Sequence, residues 1–264
     1  MLIATYNVNS LITRLPRLIS LLELHKPDVA LIQETKSTQE GFPHLPLQAA
    51  GYAAADHSAG RWAGVAILAR SDLSIGDIDV GLPGEPDPTQ ARWMEATVGD
   101  VRFASVYVPN GRMVGTDEFA AKLRFLEALA DRAKALAPGP SIVAGDFNVC
   151  PTDLDVWDPT QVHGATHITP EERSRWSALR DTGYTDAFRH LNPEAPGFTW
   201  WDYRAGHFPK GYGLRIDHAL VSTHLAGRLE AATVERAYRK VSTVPGTKPS
   251  DHAPLLVRLE AQIS

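Results

Sequence analysis

A single cysteine, Cys150, is all that 264 residues contain. No internal disulfide framework and no cysteine-based zinc site can be built from this chain, and a reducing compartment is the expectation. Long apolar runs are missing as well. None approaches the roughly 20 residues needed to cross a bilayer, and the mean hydropathy is −0.19, so no transmembrane helix and no membrane partner are expected. Residues 1–6 carry no basic group and read as a first strand rather than a secretory leader, which makes the expected location cytoplasmic. A surplus of positive charge is also absent. Twenty-six Lys and Arg against 31 Asp and Glu leave a net charge of −5, a field that repels a polyanion, so any hold on nucleic acid must come from a local basic patch. There is no low-complexity tract, no sequence repeat and no composition shift that would mark a linker, and one domain covering 1–264 is expected. A chain of this length buries roughly three quarters of its unfolded surface.

What is present is a mixed α/β pattern. Apolar runs of a few residues, bounded by Gly, Pro, Asn and Asp, predict strands over 2–6, 29–32, 65–68, 94–98, 103–108, 142–144, 216–221 and 255–259. Leu15, Leu18, Ile19 and Leu22 follow the helical period, as do Phe119, Leu123, Leu126, Ala130 and Ala133 behind an N-cap at Thr116. A third helix is predicted to begin at Thr169-Pro170-Glu171-Glu172, where cap, proline and acids agree. The Gly- and Pro-rich stretch 81–88 reads as a loop, and 153–196 has no pattern that organises it.

The polar residues fall at the ends of the apolar runs. The first exits into Asn7-Val8-Asn9, the second into Gln33-Glu34-Thr35-Lys36, the fifth into Pro109-Asn110 and the sixth into Gly145-Asp146-Phe147-Asn148. Arg215-Ile216-Asp217-His218 and Ser250-Asp251-His252-Ala253-Pro254 complete the set. If these strands share sheets, four acids and a histidine converge on one rim, where α/β folds carry functional groups. Each residue alone has an ordinary reading as a cap, turn former, surface pair or core aromatic. Together they suit phosphoryl transfer to water: hard oxygen ligands favour magnesium or manganese over zinc, a carboxylate or a His–Asp pair can take a proton from water, and a Tyr hydroxyl with Asn amides can meet charge developing on phosphate.

In this order the motifs resemble the exonuclease III and apurinic-apyrimidinic endonuclease family, bacterial type, of the DNase I-like endonuclease–exonuclease–phosphatase superfamily. Asn7-Val8-Asn9, Gln33-Glu34-Thr35-Lys36, Tyr107-Val108-Pro109-Asn110-Gly111, Gly145-Asp146-Phe147-Asn148, Phe198-Thr199-Trp200-Trp201-Asp202-Tyr203, Leu214-Arg215-Ile216-Asp217 and Ser250-Asp251-His252-Ala253-Pro254 carry it. The resemblance implies a four-layer α/β sandwich, two mixed β-sheets packed face to face with helices on the outside. It implies a magnesium-dependent enzyme, with manganese able to substitute and one or two ions, that acts on double-stranded DNA bearing abasic sites, nicks or blocked 3′ ends as a 3′-5′ exonuclease, an endonuclease cutting 5′ to abasic sites and a 3′-phosphatase or phosphodiesterase in base excision repair. Its implied catalytic residues are Tyr107, Asp146, Asn148, Asp217 and His252. Glu34 leads the implied metal ligands, with Asn7, Asp251, Asp146 and Asn148. Asn9, Asn110, Arg112 and Arg204 are implied contacts to DNA, and Trp200, Leu214 and Ile216 an apolar pocket for a base-free deoxyribose. A monomer is expected.

Arg228, Arg236, Arg239, Lys240 and Lys248, with Arg92, Lys210 and Arg215, are expected to supply the basic patch. Ile12 stands where the family commonly has Arg, and Arg14 is expected to replace its phosphate contact in part. Two other readings start from the same residues: a superfamily member cleaving a small phosphoester such as an inositol phosphate or lipid head group, and a non-catalytic nucleic-acid-binding module. The intact set of acids argues against the second, because carboxylates repel phosphate unless a cation bridges them.

Overall fold

The apolar runs form strands and the helical periods form helices. In chain order the computed structural model, which describes residues 1–261, contains β1 (Leu2–Asn7), α1 (Leu11–His25), β2 (Val29–Gln33), α2 (His44–Ala49), β3 (Tyr52–His57), β4 (Val65–Arg70), β5 (Ile75–Val80), β6 (Trp93–Val98), β7 (Val101–Tyr107), α3 (Asp117–Leu136), β8 (Ser141–Asp146), α4 (Pro170–Arg180), β9 (Tyr184–Asp186), α5 (Ala187–Leu191), α6 (His207–Lys210), β10 (Asp217–Ser222), β11 (Leu229–Val234) and β12 (Leu255–Leu259). They assemble into two six-stranded mixed sheets, ordered β11-β12-β1-β2-β4-β3 and β5-β6-β7-β8-β10-β9.

The inner strands β2 and β8 are buried at every position, because each sheet has the other sheet on one face and helices on its opposite face. Ile3, Leu31, Val65 and Ile67 from the first sheet pack against Met94, Phe103, Ile142 and Val221 from the second. Outside them, Leu18, Leu21 and Leu22 of α1 cover Ala4, Tyr6 and Ile32, while Phe125, Leu126 and Leu129 of α3 with Trp176 and Leu179 of α4 cover Val106, Val143 and Leu220. The result is the four-layer sandwich the resemblance implies. The two helix starts fall where their caps predict: Thr116 accepts from the Phe119 amide, and Thr169 closes a reciprocal capping box with Glu172.

Four strands escaped the sequence pattern. β5 reads IGDIDV and lies mostly exposed at a sheet edge, where charged side chains guard against strand addition and erase the apolar run. β3, β9 and β11 are also outer strands, alanine-rich, three residues long or half polar. Among the described residues no helix is long and apolar enough to cross a membrane.

One topological feature positions the site. β1–α1–β2 and β7–α3–β8 are both crossover units joining parallel neighbours, and each is flanked by antiparallel strands in the same arrangement. The two sheets are therefore built alike, although the sequence carries no repeat. Both units end their parallel strands on one rim, and it is at the carboxyl ends of parallel strands that α/β folds hold ligands.

Candidate active site

Asn7 closes β1, Glu34 follows β2, Tyr107 closes β7 and Asp146 closes β8, so the two crossover units deliver their last side chains to one end of the two sheets. β10 pairs antiparallel with β8 and begins at this end with Asp217 opposite Asp146. The segment entering β12 brings Asp251 and His252 beside them. The buried Asn7 amide joins the two sheets across their interface: its Nδ2 donates to Glu34 Oε1 at 2.8 Å and to Asp146 Oδ2 at 2.9 Å. His252 Nδ1 lies 2.8 Å from Asp217 Oδ2, with Nε2 facing Asp146 Oδ2 at 3.8 Å. Asn9 donates to Asp251 Oδ1 at 2.9 Å, and the Trp200 indole donates to the other Asp251 oxygen at 3.1 Å. Four carboxylates, an imidazole and two amides thus form one contiguous polar cluster.

Local backbone geometry aims these groups. Asn9, Glu34, Lys36, Arg112 and Asn148 all adopt positive φ, at 45°, 52°, 49°, 49° and 51°, a conformation that costs a non-glycine residue about 1 kcal/mol or more and concentrates at functional sites. Gly145 has a steric role. A Cβ there would lie 2.0 Å from the Val106 carbonyl oxygen, so only glycine lets β8 close on β7 one residue before Asp146. Asn148 is fastened by donation to the Val108 carbonyl at 2.9 Å and by its own amide donating to Asp146 Oδ1 at 2.9 Å.

Electrostatics follow from burial. Asp146 is pushed up to about 8, first by loss of water and further by the charges of Asp217 and Glu34, with His252 opposing. Burial works against charge on His252, yet Asp217, Asp146 and Asp251 together lift it to about 10, so the imidazole is protonated near neutrality. Burial and the nearby Glu34 charge keep the Tyr107 phenol well above its ordinary value, so it remains a hydrogen-bond donor. Arg92 lies over the Tyr107 ring with Cζ 4.6 Å from the centroid.

The donor set fits a divalent cation. Carboxylate oxygens of Glu34 and Asp146 lie within 4.8 Å of one another, Asn7 adds an amide oxygen beside them, and such an all-oxygen set suits a hard cation. The cluster already attracts one positive group: Lys36 Nζ sits 2.6 Å from Glu34 Oε2 and 2.6 Å from Asn9 Oδ1. Lys36 stands inside a motif that the sequence displayed, but nothing in the linear pattern said that it would turn back onto Glu34.

A family model described as "Endonuclease/Exonuclease/phosphatase family" matches residues 4–252. The chain belongs to that family. Within it, the chain is similar to an exodeoxyribonuclease III of Haemophilus influenzae, at 33% identity over 95% of this chain and 97% of that protein. Its fold is similar to a 3′-5′ exonuclease, NExo, from Neisseria meningitidis, with a TM-score of 0.93, 37% identity and coverage of 99% and 100% of the two chains; that Neisseria protein has also been solved as a 3′ phosphatase bound to a product DNA hairpin. An AP endonuclease from Archaeoglobus fulgidus superposes with a TM-score of 0.91 at 29% identity, covering 99% and 100%.

The remaining expected residues of this family member divide clearly. Leu214 and Ile216 are buried with Cys150 and Val156, and Trp200 packs partly against them; isolated bridges pair Trp200 with both Leu214 and His252, so the apolar floor adjoins the imidazole. Asn110 and Arg112 are exposed and share a cleft with Arg92 and Tyr107. Arg204 is exposed and paired with Asp202 at 2.7 Å. Three expected phosphate contacts are wrong. Arg215 is buried between Asp155 and Asp186, at 2.6 and 2.8 Å. Arg14 is buried against the Asn9 carbonyl and the Tyr203 hydroxyl. Arg239 is buried against the carbonyls of Ser250 and Trp201. Arg228 precedes β11 at the opposite end of the sheet from the site. Arg236 is exposed but lies over Phe208. Lys240 and Lys248 are exposed and remain free of ion pairs among the described residues.

Proposed function

We propose that the chain is a magnesium-dependent DNA-repair phosphodiesterase of base excision repair. It acts on duplex DNA as a 3′-5′ exonuclease, as an endonuclease cutting 5′ to abasic sites and as a 3′-phosphatase or phosphodiesterase. These reactions are one chemistry: water attacks phosphorus, the bond from phosphorus to O3′ breaks, and a 3′-hydroxyl is left. The observation that carries the reading is the convergence of Glu34, Asp146, Asp217 and His252, from four separated segments, into one polar cluster in a chain of this family.

Glu34, with Asn7, Asp251 and, for a second position, Asp146 and Asn148, would hold magnesium or manganese, which offsets charge on the phosphoryl and leaving oxygens. Asp146, ionised once the cation is bound, takes the proton of the attacking water. His252, charged and oriented by Asp217, donates to a non-bridging phosphate oxygen. The Tyr107 hydroxyl and the Asn110 amide meet the remaining oxygens. Asn9, Arg112 and Arg204 engage the DNA backbone, while Trp200, Leu214 and Ile216 receive a sugar without its base, which turns out of the helix at lower cost than a paired nucleotide. The whole chain works as one catalytic domain, a cytoplasmic monomer.

Labelled duplexes carrying a tetrahydrofuran site, a nick or a 3′-phosphate, incubated with and without chelator, test this. Magnesium-dependent cleavage or dephosphorylation is expected, and absence of turnover on all three at every magnesium level rejects it.

A further inference from the structure

Arg17 is fully buried on α1 and meets no carboxylate within ion-pair distance among the described residues. Its guanidinium is instead wrapped by backbone. Nη1 donates to the carbonyls of Tyr238 and Lys240 at 3.0 and 3.1 Å, and Nη2 to those of Val241, Val244 and Thr247 at 3.3, 3.3 and 3.0 Å. Four N–H groups serve five carbonyls of one irregular segment, residues 238–247. Burying a cation costs several kcal/mol unless its donors are satisfied; the four Nη N–H groups are satisfied by this segment and Nε–H has no partner among the described residues, so the segment and the arginine hold each other through the Nη groups.

The first two carbonyls gripped by Arg17 flank Arg239. That residue, itself buried, donates from Nη1 to the Ser250 carbonyl at 2.9 Å and from Nη2 to the Trp201 carbonyl at 3.2 Å. Ser250 precedes Asp251 and His252, and Trp201 follows Trp200. Ser250 Oγ in turn donates to the Asn7 carbonyl at 2.8 Å and accepts the His252 amide at 3.2 Å, and the Trp201 amide donates to the Asp251 carbonyl at 3.0 Å. One route of hydrogen bonds therefore runs from α1 through Arg17 and Arg239 to the backbone on either side of the candidate catalytic pair.

We infer that Arg17 is a positioning residue for Asp251 and His252. It fixes the backbone around Arg239, and Arg239 fixes the two segments whose side chains face the phosphate. What Asp251 and His252 do there rests on the proposed function; that Arg17 sets their place does not. A lysine at position 17 would keep the charge but offer a single nitrogen with three donors, unable to span five carbonyls.

The test combines amide hydrogen exchange with steady-state kinetics on a 3′-phosphate duplex. Arg17→Lys is expected to speed exchange at least tenfold across 238–253 while β1 and β8 stay protected, and to lower kcat at least tenfold with KM within threefold of wild type. Arg239→Lys should give the same kcat loss, and the double variant should be no worse than either single one. Faster exchange confined to 238–247, with kcat within twofold of wild type, would overturn the inference, as would unchanged exchange. If Arg17→Lys does not fold, Arg239→Lys decides alone: a tenfold kcat loss at constant KM supports the route and an unchanged kcat overturns it. A wild-type protein inert on every substrate would overturn the proposed function, while exchange at 250–253 would still judge the positioning role.

Discussion

Replacing Arg215 by methionine separates a DNA contact from a buried structural cation. The side chain is 1% exposed and lies between Asp155 and Asp186, with His218 Nδ1 3.0 Å from Nη1. Burial alone would raise both carboxyls, but Arg215 outweighs it and holds them below the usual carboxylate range. In the variant Asp155 keeps Arg189 at 2.6 Å, whereas Asp186 loses its close cation and keeps the Arg189 backbone amide at 3.2 Å and His218 at 3.8 Å. Removing one partner of a buried pair costs about 3–5 kcal/mol, a large part of the roughly 5–15 kcal/mol that stabilises a folded chain. At about 2–4 °C per kcal/mol for a chain near this size, the melting temperature should fall by roughly 6–20 °C. The sign with pH is fixed. Carboxyls whose native proton affinity is depressed contribute stability that is complete above the unfolded value of about 3.9 and is lost as pH falls through the lower native value. The gap between wild type and variant should therefore be widest near neutrality and close as pH drops below about 4. Thermal melts from pH 3 to 8 measure this, and duplex binding against salt measures the alternative, since a lost phosphate contact flattens the logarithmic slope by about 0.9. A melting temperature within about 2 °C of wild type, combined with a flattened slope, would refute the buried-triad account.

Other outcomes follow from the same geometry. Asp146→Asn and His252→Ala should each lower turnover by about 10²-fold or more, the first with the melting temperature held within a few degrees and the second with a lower one, because it leaves the buried Asp217 without its cation; wild-type rates in either would remove that residue from its role. With the metal-free Asp146 carboxyl at about 8, metal binding at pH 7 must expel a proton, so manganese affinity should rise with pH and level off above 8. Calorimetry in buffers of different ionisation enthalpy detects the released proton, and no buffer dependence would contradict it. Gly145→Ala forces a methyl to within 2.0 Å of the Val106 oxygen, so soluble, active protein from this variant would show that β7 and β8 can part. Thr169→Ala should cost about 1 kcal/mol by urea titration, the ordinary worth of a helix cap.

By itself the sequence determined the fold class, the central strands, three helix positions and most of the polar residues that the structure gathers at the candidate site. The inner strands were legible because burial on both faces leaves an uninterrupted apolar run, as in β2 and β8, and the caps at Thr116 and Thr169 were legible because a cap is a local hydrogen bond. Outer strands such as β5 were not, since one exposed face and an unpaired edge admit glycine and aspartate. The cationic side chains show the same division. Charge is a property of composition, but whether an arginine meets phosphate, a carboxylate pair or a ring of carbonyls depends on which remote segment folds over it. Only the tertiary structure decided that Arg215, Arg14, Arg239 and Arg17 face inward, because partners such as Asp155, Asp186, Tyr203, Ser250 and Tyr238 lie on other segments of the chain, and that Lys36 turns onto Glu34, two residues away, where both adopt positive φ; no local periodicity records either arrangement.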